Sequence, residues 1–229
     1  MINYQKSAKI VGILFIVGTV SGMLSLNMTS ILNSPDYLVK FTENKTSVIL
    51  GVLSVLSMGI SLSMMSVVLF PILKKYSESL AIGAVIFRGV LELASYLGIA
   101  TSWLLLLSLG ERYVEAGSPA SSEYLLIGDT LKDLEFVSGS MALGAIVFSI
   151  GAMIIYYVFL KTKLIPTWLS LWGLVGAILY FATPILMMFG FDFEFLEYIL
   201  GVQEMIMALW LIVKGFNKSA ASSLMANTN

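Results

Sequence analysis

The sequence predicts an all-α fold: a polytopic membrane helix bundle with six transmembrane helices and both termini cytoplasmic, forming a single integral membrane domain over residues 1–229. Three observations carry that prediction. Of the 229 residues, 58% are hydrophobic and only 12% charged, and the mean hydropathy of +0.93 lies far above that of an ordinary soluble domain. Apolar stretches of the roughly 20 residues needed to cross about 30 Å of hydrocarbon follow one another with short polar breaks. Basic residues gather on alternate breaks, as loops of a multi-pass protein do.

The first span, Ile10–Met28, follows Lys6 and Lys9. Its apolar run is too long for a secretory signal and no small-x-small cleavage site follows, so it reads as an uncleaved span. Val48–Leu73 is the second span, with Pro71 near its end, and Leu80–Leu109 is the third. The longest interruption, Gly110–Glu135, opens with the turn chemistry of Gly117, Ser118, Pro119 and Ser121. Within it Tyr124, Leu125, Gly128, Leu131 and Leu134 recur at helical spacing. That pattern suits either a short amphipathic helix on the membrane surface or an extension of the fourth span. The lack of proline between Ser122 and Phe136 favours the extension. Phe136–Leu160 is the fourth span. Pro166 starts the fifth, Trp168–Phe189, where a missing amide costs little, and Pro184 should bend or end it. Phe195–Val213 is the sixth.

Lys6, Lys9, Lys74, Lys75, Lys161, Lys163, Lys214 and Lys218 fall on the side that carries both termini, against Lys40, Lys45, Arg112 and Lys132 opposite. The bias places both termini inside. Acidic residues partition the other way: Asp36, Glu43, Glu111, Glu115, Glu123, Asp129, Asp133, Glu135, Asp192, Glu194 and Glu197 lie outside, against Glu78 within. A negative outer face can concentrate cations by focusing field lines, and it also simply accompanies the positive-inside bias.

Absences narrow the chemistry. With no cysteine or histidine there is no disulfide, thiolate nucleophile, iron–sulfur site, haem ligand or imidazole zinc site. No nucleophile elbow, phosphate-binding loop, dinucleotide fingerprint, EF-hand or HExxH motif is present. The methionines Met64, Met65, Met187 and Met188 read as apolar filler rather than soft-metal ligands. The sequence therefore predicts no metal, no cofactor and no catalytic residues, and a formal charge of -1 argues against a nucleic-acid partner.

Three ionisable residues remain once the loops are accounted for: Arg88 and Glu92 in the third span and Glu204 in the sixth. Such groups cost about 2.5–3.5 kcal/mol each at a helix centre and need partners. Arg88 and Glu92 are spaced i,i+4, which stacks them on one helix face. Glu92 and Glu204 fall at similar depth in their spans, and Gln203, Ser95 and Tyr96 lie within a turn of them. The cluster, formally one positive and two negative charges, reads either as a ligand or proton site near the bilayer midplane or as a polar clasp between helices.

Small residues describe packing. Gly18 and Gly22 form a GxxxG pair, and Ser140, Gly144 and Phe148 repeat the same step in the fourth span. Ser47, Gly51, Ser54, Ser57 and Ser61 trace a stripe along the second span that suits close packing or an aqueous path. Trp103, Trp168, Trp172 and Trp210 lie toward span ends and suit an interfacial belt.

The segment Leu164-Ile-Pro-Thr-Trp-Leu-Ser-Leu-Trp-Gly-Leu-Val-Gly176, following Tyr156, Tyr157 and Lys161, resembles the bacterial membrane family designated domain of unknown function 4386. Phe87-Arg88 through Glu92, and Glu204 through Trp210-Leu-Ile-Val-Lys-Gly215, are similar to the same pattern, so the likeness covers almost the whole chain. It implies a six-helix protein of the bacterial cytoplasmic membrane and transfers no activity or site residue.

The functional expectation is a non-enzymatic multi-pass protein that binds or transports a small or amphipathic molecule at Arg88, Glu92, Glu204, Gln203, Ser95 and Tyr96, with the lipid bilayer and such a ligand as partners. The charged residues fall in the third helix of each three-helix half, an arrangement that would suit an inverted repeat, although the halves show no convincing sequence match. The alternative is a structural, regulatory or complex-assembly membrane partner whose charges only hold helices together. A third class, an intramembrane carboxylate enzyme, needs a wet pocket that nothing in the spacing demands.

Overall fold

Helix α1 (Tyr4–Thr29) starts where the Asn3 side chain accepts from the Lys6 amide at 3.0 Å, satisfying one of the free donors at a helix N-terminus. The structure is a computed structural model that describes residues 3–119, 123–133 and 140–226. A 3₁₀ turn (Ser30–Asn33) and the short α2 (Tyr37–Glu43) lead into α3 (Lys45–Leu73). The third span is composite. α4 (Glu78–Ala84), capped by Ser77, passes into a π-helical turn (Val85–Leu91) and then α5 (Glu92–Glu115). After α6 (Glu123–Asp133) come α7 (Ser140–Thr162), α8 (Thr167–Met188), α9 (Glu197–Val213) and the terminal α10 (Lys218–Ala226). No strand occurs among the described residues.

Six helical stretches are long and apolar enough to cross a bilayer: Tyr4–Asn33, Lys45–Leu73, Glu78–Glu115, Ala142–Thr162, Thr167–Met188 and Glu194–Val213. Each packs on the next in chain order, and α9 returns to α1, so the spans close a ring. Small residues set the tightest seam. A methyl group on Gly18 would lie 2.8 Å from Leu62, and one on Gly22 2.7 Å from the Met58 sulfur. The serine stripe of α3 serves this seam: Ser47 donates to the Met28 carbonyl at 3.2 Å and Ser57 accepts from Ser21 at 3.2 Å. Close packing, not a water path, is what those residues form.

Both termini lie at the lysine-rich end, where Gln5 Nε2 donates to the Phe216 carbonyl at 2.7 Å. We call this the basic end and the opposite one the acidic end. The third span is longer than the expected Leu80–Leu109 because its last turns leave the apolar layer and build a cap at the acidic end. There Gly110 lets α2 approach, its missing methyl standing 2.5 Å from the Leu38 carbonyl oxygen. Tyr37 donates to Asp129 of α6 at 2.9 Å, and Lys45 pairs with Glu111 at 2.7 Å. Leu32, Tyr37, Phe41, Trp103 and Leu106 form a second core there, separate from the main one between the spans.

Trp103 corrects the interfacial-belt expectation. It is 1% exposed, because the span carries it into the base of this cap rather than to the lipid boundary. Trp168 does face outward, while Trp172 donates to the Ile199 carbonyl across α9 at 3.1 Å. Pro166 immediately precedes α8, as expected, and Pro184 lies inside it, with the helix ending a turn later at Met188. The expected start of the fourth span at Phe136, its continuity with α6 through Leu134 and Glu135, and the turn residue Ser121 lie outside the described residues, as does the side chain of Ser140.

Candidate functional site

Arg88 enters the middle of the ring from the π turn. Such turns insert a residue into the helical repeat and occur often at functional sites. Close approaches flank this one on two sides. A methyl on Gly151 of α7 would stand 2.7 Å from the Arg88 amide nitrogen, and one on Gly89 would stand 2.7 Å from Ser66 of α3. Arg88 lies ten residues from Glu78, and Glu204 nine from Val213, both measured from the basic end. At about 1.5 Å of rise per residue these are depths of about 15 and 14 Å, close to half the hydrocarbon thickness.

At that depth the guanidinium is shared between two carboxylates. Arg88 Nη1 donates to Glu92 Oε1 and Oε2 at 3.0 and 3.1 Å, and Nη2 to Glu204 Oε1 at 3.0 Å. The planar fork suits this divided duty as a lysine ammonium would not. Tyr96, one further turn along the 88–92–96 row, donates to Glu92 Oε1 at 3.0 Å. Aromatic faces complete the shell: the Phe148 ring centre is 4.1 Å from the guanidinium carbon and that of Phe15 is 5.6 Å away, contacts that stabilise a desolvated cation.

The three charges are unequally enclosed. The side chains of Arg88, Glu92 and Glu204 are 1, 3 and 13% exposed. Glu204 is thus the member on the open side, held by Arg88 through one oxygen. Tyr156 lies beside Glu204 and Gln203, with its buried hydroxyl outside standard hydrogen-bond geometry. Gly173 makes room for both the Tyr156 ring and Gln203. Tyr180 packs edge-on against Phe148 at 4.9 Å and reaches Glu197, seven residues before Glu204 on the same face of α9. Glu197 and the exposed Glu194 lead from there to the acidic end.

Four of the six residues singled out in the sequence, Arg88, Glu92, Tyr96 and Glu204, therefore meet directly. Gln203 sits at the edge, donating to the Leu169 carbonyl at 3.0 Å, with its own oxygen buried and unpaired. Ser95 is turned away. It donates to Leu91 of its own helix at 3.1 Å and abuts Gly144 of α7. Spacing missed Phe15, Phe148, Tyr156 and Tyr180, which read as ordinary apolar or aromatic core. Among the described residues no cluster of three or more carboxylates suited to a metal occurs.

Fold and site together define a multi-pass membrane helix bundle closed around an internal arginine held by two carboxylates. By sequence the chain matches the family described as Domain of unknown function (DUF4386) over residues 10–215, and it belongs to that family. No curated protein and no solved structure matches it.

Proposed function

We propose that this protein is a non-enzymatic membrane protein of the bacterial cytoplasmic membrane, with both termini inside, that binds or moves a small or amphipathic molecule at the Arg88–Glu92–Glu204 cluster. One observation carries the reading. A single guanidinium serves two carboxylates, leaving a formal excess of one negative charge, and the carboxylate on the open side is Glu204. A cationic amphiphile is the ligand class that complements such a site: its charge offsets the excess and its apolar part suits the aromatic surroundings. Glu194, Glu197 and Tyr180 supply polar groups between the acidic end and the cluster, where a negative face draws cations.

The test uses tetraphenylphosphonium as the probe. Equilibrium dialysis of purified protein in detergent should give saturable binding that Glu204→Gln abolishes, with the melting temperature and folded yield largely retained. Binding unchanged in that variant, or loss of folded protein without a separable binding defect, overturns the proposal.

A second reading is favoured by the completeness of the arginine's shell. Arg88 is 1% exposed and faces two carboxylates and two rings, as a helix clasp requires. In that case the cluster binds nothing, and the work falls to an interface of the bundle with another membrane protein.

A further inference from the structure

Apart from the charged cluster, the basic end of the bundle carries a recess of about 460 Å³. It lies where α7 passes into α8 and α9 into α10, and Lys163, Lys214 and Lys218 line it together with Trp210, Thr167 and Asn217. All three lysines are exposed, and none pairs with a carboxylate among the described residues, whereas Lys74 at the same end is 2.7 Å from Glu78. The sequence supplies no local counter-ion, since residues 136–191 and 205–229 contain neither aspartate nor glutamate. The recess is built rather than incidental. The Asn217 amide donates to the Leu164 carbonyl at 2.8 Å, tying its two walls together, and Phe216 is buried against Phe159 with ring centres 5.7 Å apart.

Backbone conformation sets Lys163 apart. Both helices that reach this rim end on a left-handed residue, but α9 uses Gly215 (φ +72°) and α7 uses Lys163 (φ +56°). Glycine adopts that conformation without cost, while a side chain is strained there by about 1–2 kcal/mol. The lysine is held at the rim against its backbone preference, as strained residues at binding sites are. The first amides of α8 have no side-chain cap and open at Thr167 beside the lysines, adding to a field that favours an anion. Trp210 is amphipathic at the same level, and the neighbouring Trp168 and Val213 are 53 and 73% exposed, so an anion held here stands next to a lipid-facing surface.

We infer that this recess binds the phosphate headgroup of an anionic glycerophospholipid, with Lys163, Lys214 and Lys218 as the phosphate contacts and the acyl chains lying along the exposed apolar ends of α8 and α9. Basic pockets between transmembrane helices recognise such headgroups, and each lysine adds about fivefold to affinity. The site is independent of the charged cluster.

The test is native mass spectrometry of the full chain in detergent, titrated with phosphatidylglycerol and with phosphatidylcholine. Phosphatidylglycerol should be retained at least about tenfold better, and Lys214→Gln and Lys218→Gln should each weaken it about fivefold. Lys163→Gly should weaken it to the same degree while raising the melting temperature, a pair of effects that a purely structural lysine would not give. Lys6→Gln with Lys9→Gln, which removes charge from the same end but not from the recess, should leave retention unchanged. Equal retention of the two lipids, or an equal loss in the Lys6 and Lys9 variant, overturns the proposal. Displacement by glycerol 3-phosphate at the affinity of the lipid also overturns it, by assigning the recess to a soluble phosphate.

Discussion

Gly151→Ala is the smallest change that tests whether the charged cluster depends on close helix contact. The added methyl would stand 2.7 Å from the Arg88 amide nitrogen, 2.8 Å from its Cβ and 3.1 Å from its Cα, where ordinary contact begins at 3.4 Å, so α7 and the π turn must part by about 0.7 Å. The obstacle is backbone and cannot swing aside as a side-chain tip does. Overpacking of this kind costs about 1–3 kcal/mol, and a chain of this size loses roughly 2–4 °C of melting temperature per kcal/mol, which sets the expected fall at about 5 °C. Gly201→Ala is the matched control. Gly201 lies in α9 with nothing within 4 Å of the added methyl, and alanine there gains helix propensity. Thermal unfolding in one detergent, followed by tryptophan fluorescence, should show Gly151→Ala lowered and Gly201→Ala unchanged or slightly raised. Equal melting temperatures for the two variants would refute the claim that the arginine is seated by this contact.

Arg88→Met leaves two carboxylates facing one another without their cation, and should destabilise by about 3–5 kcal/mol. Joint replacement of Arg88, Glu92 and Glu204 by Met, Leu and Leu removes every charge and should restore stability to that of the parent or above; a triple variant less stable than Arg88→Met would contradict the ion-pair account. At the acidic end, the hydrogen bond from Lys40 holds the Asp36 carboxyl below the ordinary aspartate range. A lowered folded-state value gives stability that is present above about pH 4 and lost as pH falls through it. Asp36→Asn should therefore lower the melting temperature slightly at pH 7, with the difference vanishing on acidification; a difference that persists in acid would show that the pair is not its source.

The spans and the charged triad were legible because both rest on strong, local signals. Runs of apolar residues set the helices, and the i,i+4 step from Arg88 to Glu92, with Glu204 at matching depth, left few alternatives for three charges in hydrocarbon. The shell around them was not. Phe15, Phe148 and Tyr156 look like any other bundle core in a chain that is 58% hydrophobic, and an i→i+5 turn leaves no mark in composition. Ser95 was drawn in by proximity to Glu92, but the row of four-residue steps runs to Tyr96 and carries Ser95 round toward α7. Trp103 was assigned to the lipid boundary because hydropathy cannot show that the third helix continues beyond the apolar layer into a cap of its own. The recess at the basic end was hidden for a related reason. Its lysines were visible as a topological bias, while the folding of two separate turns into one wall needed coordinates.

The measurement that tests the central claim most directly is an experimental structure of the protein with tetraphenylarsonium, in which anomalous scattering from arsenic marks the cation. The account predicts an arsenic peak inside the ring on the Tyr156 side of Glu204, in contact with that carboxylate and absent from crystals of Glu204→Gln. An arsenic peak confined to Asp192 and Glu194 at the acidic end, or a sealed triad with no peak near it, would contradict the account and make Arg88, Glu92 and Glu204 a clasp between helices.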